Sequence, residues 1–148
     1  MLALKDEWGR ILRAGEAYGV DPLFLAAIRQ AEAGRPGREF GVLVGAANTY
    51  ETQVKYTANT ITHYLFDYVG NPTNRIIAAG HHRIIYNSRF IEYTARRYAP
   101  IGAGNDPTSL NANWLKNVTF HYNRYTRRGW DLQGDWPFDD VGEAHKES

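Results

Sequence analysis

The chain has 148 residues, 43% of them hydrophobic, which is enough for one domain with its own core and too few for two of ordinary size. It lacks cysteine, which excludes a disulfide framework and any thiolate metal site, and no apolar run reaches the length of a signal-peptide core or a membrane span. The net charge of +1 hides an asymmetry: from Asp131 onward six acids face Lys146 alone, leaving 16 basic against 10 acidic residues in 1–130, a balance suited to an anionic polymer.

The first segment, Leu2 to Tyr18, carries Leu4, Trp8, Ile11 or Leu12, and Ala17 or Tyr18 at helical spacing and stops at Gly19. Asp21 then offers an N-cap and Pro22 a first helical position, while Gly34 offers a stop, so a helix of about three turns follows. Leu25, Ile28 and Glu32 share one face of it, which carries the carboxyl of Glu32 toward the core. Burial and the negative end of the helix dipole both disfavour a carboxylate there, and such a group can hold a proton near neutral pH and donate it. The plainer alternative is a structural acid paired with Arg29, Arg35 or Arg38.

The glycine-rich run from Gly34 to Asn48 excludes a helix and is expected to be loop, with a short hairpin or strand at Phe40 to Val44. Asn48 and Glu51 have capping-box character, and Val54, Ala58, Ile61, Leu65 and Val69 predict a long helix over Tyr50 to Tyr68, expected to be the buried one. Between Thr73 and Asn87 the β-branched pairs Ile76-Ile77 and Ile84-Ile85 fit either short helix or short strand, and His81-His82 lack the spacing of a metal site. Ser88 caps a helix through Ala99, stopped by Pro100. Asp106-Pro107 opens a last long helix with Leu110, Trp114, Val118, Tyr122 and Tyr125 on one face, ending at Gly129.

Two stretches carry a resemblance. A helix ending in Glu32-Ala33-Gly34-Arg35, entered through Tyr18-Gly19-Val20-Asp21-Pro22 and followed by Phe40-Gly41-Val42-Leu43, resembles the lysozyme-like superfamily, especially its lytic transglycosylase and glucosaminidase branches. Their Glu–Ser–Gly–Gly-type motif differs here by Ala33 for Ser and Arg35 for the second Gly. The segment RYAPIGAGNDPTSLNANWLKNV, Arg97 to Val118, is similar to one in lysozyme-like proteins of bacteriophage particles and lysis systems.

The resemblance implies a mainly α, α+β lysozyme-like single domain of five to seven helices with at most a small β-hairpin, a catalytic domain over 1–138 and an acidic, flexible tail over 139–148. It implies cleavage of the β-1,4 bond between N-acetylmuramic acid and N-acetylglucosamine in peptidoglycan, as lytic transglycosylase or muramidase, with Glu32 as general acid and base. Substrate contacts are then expected from Glu39, Phe40 and Tyr50 on one wall and from Tyr93, Tyr98, Asn105 and Asn111 on the other, with no metal and no cofactor. A muramidase also needs a second carboxylate, for which Glu39 and Glu51 are nearest in sequence, whereas a transglycosylase needs only one acid. Partners would be glycan strands and other phage particle proteins, and the place of action the bacterial cell wall, reached as part of a virion or through a lysis system. Two other classes stand beside this reading. One is a catalytically inactive lysozyme-like structural or wall-binding module; the other is a nucleic-acid binder, which lacks any helix–turn–helix or zinc signature.

Overall fold

The computed structural model describes residues 4–70, 77–79, 83–98 and 108–127, with side chains from Glu7 onward in the first helix and from residue 113 onward in the last. Among the described residues five helices carry the domain: α1 Leu4–Tyr18, α2 Pro22–Glu32, α3 Tyr50–Val69, α4 Ser88–Tyr98 and α5 Thr108–Arg127. A two-stranded antiparallel hairpin, β1 Ile77–Ala79 with β2 Arg83–Ile85, lies between α3 and α4 and sets Ile77 opposite Ile85. The fold is therefore a mainly α single domain.

The short helix α2 is the one that is buried. From Leu23 to Arg29 every residue is out of solvent, because α1, α3 and α5 all pack against it. The longer α3 buries only a stripe, Tyr50, Gln53, Val54, Thr57, Ala58, Ile61 and Tyr68, and leaves Phe66 and Val69 exposed. This reverses the expectation from periodicity: a stripe marks a helix that buries one face, whereas α2, apolar around most of its circumference, is enclosed on several sides.

The N-terminus of α2 is capped as the sequence predicts, with Asp21 Oδ1 accepting from the Leu23 amide at 2.9 Å and Pro22 in the first turn. Asp21 is also tied to distant elements: its amide donates to the Tyr86 hydroxyl at 2.8 Å, and its Oδ2 accepts from the Tyr122 hydroxyl of α5. The Tyr122 oxygen in turn accepts from the Tyr86 amide at 3.0 Å. Around this junction Phe24, Tyr86, Phe90 and Tyr122 pack edge-on, tilted or stacked at 4.9–6.0 Å between centroids. Tyr86 and Tyr122 thus give the core their rings and use their hydroxyls as cross-links.

Other caps shift by one position. Thr49 and Thr52, rather than Asn48 and Glu51, form the capping box of α3, and Asn87 Oδ1, rather than Ser88, accepts from the Phe90 amide to start α4. The connection over 41–44 has no strand. Its backbone groups bond to the side chain of Gln53 instead, which removes the need for a paired strand.

Candidate active site around Glu32

Glu32 is the last residue of α2, and the chain leaves it through a residue that the helix geometry forces into an unusual conformation. Ala33 takes the left-handed region at φ 49°, its amide bonding back to Arg29 O at 3.1 Å, so the helix stops one residue before Gly34. Gly34 is required for a different reason: a Cβ there would stand 1.7 Å from Arg38 O, so the backbone at 34 and 38 can touch only because 34 is glycine.

The loop after Gly34 folds back over the helix end. Arg38 Nη1 donates to Gly37 O at 2.8 Å and to Ala47 O at 3.0 Å, and the Gly37 amide donates to Glu39 Oε1 at 3.1 Å. This brings Gly41, at φ 76°, against the carboxyl group of Glu32, where a Cβ would lie 2.5 Å from Oε1 and 2.7 Å from Cδ. From the opposite side the Trp114 indole N–H of α5 donates to Glu32 Oε2 at 3.0 Å.

The carboxyl is thus partly buried between the loop backbone and an indole, with the Tyr98 ring 5.1 Å from that of Trp114. Burial dominates and raises the Glu32 pKa to about 7; the Trp114 hydrogen bond works in the opposite direction by favouring the ionised form. Among the described residues no cation pairs with Glu32. Arg29 is committed to Glu7, Nε to Oε1 at 2.7 Å in a fully buried pair, and Arg38 to the loop carbonyls. The pairing of Glu32 with one of these arginines, the plainer alternative from sequence, is not how the acid is held.

The other residues expected at the site divide. Tyr98 reaches Glu32's surroundings but from behind: it is fully buried, its hydroxyl donates to Phe40 O at 2.6 Å and accepts from Thr57 Oγ1 at 2.8 Å, and its pKa is raised by burial first and then by the charge of Glu32. Phe40 is fully buried and packs edge-on against Tyr50 at 5.6 Å. Tyr50 is buried, with its pKa raised by burial and then by Glu7. Phe40, Tyr50 and Tyr98 are therefore scaffold behind the acid, not rings offered to a sugar, because their neighbours cover both faces. Glu39 is buried and taken up by the Gly37 amide, and Glu51 pairs with Arg10 at 3.3 Å. Tyr93 belongs to a separate cluster with Tyr64, Tyr68 and Phe90, and Arg97 lies over its ring at 3.5 Å. Asn111 lies on α5 with its side chain outside the described residues, and Asn105 lies outside them altogether.

In the sequence Trp114 belongs to the core stripe of its helix, Gly41 to the Phe40–Leu43 segment with no role of its own, and Gln53 carries no expectation. A signal was present for one of them, since Gln53 falls between Tyr50, Val54 and Thr57 on a stripe that a polar side chain should avoid unless it is bonded. Among the described residues no group of three histidines or acids could hold a metal, and no helix is long and apolar enough to cross a membrane. Set against family models, curated proteins and solved structures, the chain matches none. The functional reading therefore rests on the residues around Glu32 and on the sequence resemblance.

Proposed function

We propose that the chain is a peptidoglycan-cleaving glycosidase of the lytic transglycosylase type, with Glu32 as its general acid and base. The observation that carries this reading is the Glu32 carboxyl, partly exposed, without a cation partner among the described residues, pressed against Gly41 and held by Trp114; its pKa of about 7 keeps a proton available at neutral pH. In the neutral form Glu32 protonates the glycosidic oxygen between N-acetylmuramic acid and N-acetylglucosamine, and the bond to the muramic anomeric carbon breaks. The carboxylate left behind is stabilised by the Trp114 N–H. It then takes the proton of the muramic 6-hydroxyl as that oxygen closes onto the anomeric carbon, which gives a 1,6-anhydro end and restores the acid.

Single-acid chemistry is favoured over hydrolysis because both candidates for a second carboxylate are engaged elsewhere: Glu39 by the Gly37 amide and Glu51 by Arg10. The substrate is the glycan of the cell wall, and the excess of basic residues over 1–130 suits its anionic polymers. The test is the clearing of a purified peptidoglycan suspension by the wild type and by Glu32→Gln, which preserves shape and removes the acid. A loss of about 10²-fold or more is expected. Equal clearing by both proteins excludes Glu32 as the acid, and no clearing by a folded wild type leaves a binding or structural module.

A further inference from the structure

Gln53 projects from the buried stripe of α3 into the loop that covers Glu32, and it is completely out of solvent. Its Oε1 accepts from the amides of Phe40 at 3.1 Å and Val42 at 3.2 Å, and its Nε2 donates to Val42 O at 2.8 Å and to Ala47 O. The two amides flank Gly41. One side chain thus satisfies four backbone groups of a segment with no strand partner and fixes the residues on either side of the glycine that touches the acid. A second tether comes from α4, where Tyr98 donates to Phe40 O while bonded to Thr57 of α3.

We propose that Gln53 is a positioning residue for Glu32, holding Gly41 against the carboxyl group through the backbone of residues 40 and 42, with Tyr98 as the second tether. The proposal rests on Glu32 being the reacting acid for its consequence in catalysis, but the geometry it describes is measurable without any turnover. The Gly41 backbone covers one side of the carboxyl, and a loop released from Gln53 lets water replace it, which favours the carboxylate. Few charges compete with this effect. From α4 the titratable neighbour is Tyr98, from α5 Trp114 has no ionising group, and on α2 itself Arg29, one turn back, is held by Glu7.

The experiment is a carbon-13 NMR titration of the Glu32 carboxyl in the whole chain, its signal assigned by its absence in Glu32→Gln. The variants are Gln53→Leu, which keeps bulk and removes all four bonds, and Tyr98→Phe, which removes one bond to the loop together with the bond to Thr57. Ile61→Ala, on the same stripe of α3 but bonded to nothing in the loop, is the control for lost stability. The midpoint should fall from about 7 toward 4.5, by about one unit or more in Gln53→Leu and by less in Tyr98→Phe, with Ile61→Ala unmoved. Should Gln53→Leu not fold, Tyr98→Phe against the control decides. An unmoved midpoint in the folded loop variants, or an equal fall in Ile61→Ala, overturns the proposal. A failure of Glu32→Gln to lose activity would instead remove the function while leaving this titration to stand or fall by itself.

Discussion

Glu32 is a single carboxyl whose environment is made of backbone and indole in place of charge. Its folded pKa of about 7 lies above the ordinary carboxylate value of 4.5, so the folded state binds the proton more tightly than the unfolded chain does. The contribution of Glu32 to stability is then fully present below about pH 4.5 and is lost as the pH rises toward 7. Glu32→Gln removes that loss. Denaturant unfolding near pH 8 should find the variant more stable than the wild type by on the order of 2 kcal/mol, and the two alike at about pH 4. A difference that does not change with pH would mean that the carboxyl titrates normally. Trp114 makes the opposite contribution, since its hydrogen bond supports the ionised form. Trp114→Phe should therefore move the alkaline limb of the pH–rate profile upward, and a limb that stays in place would show that the indole does not bear on the acid.

At the scale of elements, α2 connects the site to the core. Its carboxyl-bearing end is exposed to the loop, but one turn earlier Arg29 and Glu7 form an ion pair with side chains 6% and 3% exposed. A pair buried so completely is costly to break, because either partner alone is a charge without compensation. Glu7→Ala should lower stability by about 3–5 kcal/mol, read as a shift in denaturant midpoint at unchanged slope. A shift under about 1 kcal/mol would place water at the pair. The start of α2 was legible because Asp21 and Pro22 act within one turn. Its end was legible too, at Glu32, but not the way it is made: Ala33 takes the left-handed turn, and Gly34 serves a backbone contact with Arg38. The strand expected near Phe40 failed for a related reason: β-branched and aromatic residues there find burial, and Gln53 supplies the bonds a neighbouring strand would have given.

At the scale of the whole molecule, the helices were readable from spacing and punctuation, because each is a local decision of caps, glycines and prolines. Which helix lies innermost was not, since that depends on three others closing around α2. The site divides in the same way. Glu32 could be found from its own helix, where an acid shares a face with Leu25 and Ile28. Trp114 comes from 82 positions away in sequence, and nothing local reveals that its N–H faces an acid in preference to the core. Of the tyrosines expected to line a cleft, Tyr98 is drawn instead into a cross-link to Phe40, where a buried ring can satisfy its hydroxyl, Tyr50 packs behind the acid against Phe40, and Tyr93 joins the cluster of Tyr64, Tyr68 and Phe90.

The most direct test of the central claim is the mass spectrum of the fragments released from purified peptidoglycan. The wild type should release muropeptides ending in 1,6-anhydro-N-acetylmuramic acid, one water lighter than the corresponding reducing ends, and Glu32→Gln should release none. Release of the same fragments by Glu32→Gln, or of none by the wild type, would contradict the assignment of Glu32 as the acid of a wall-cleaving enzyme.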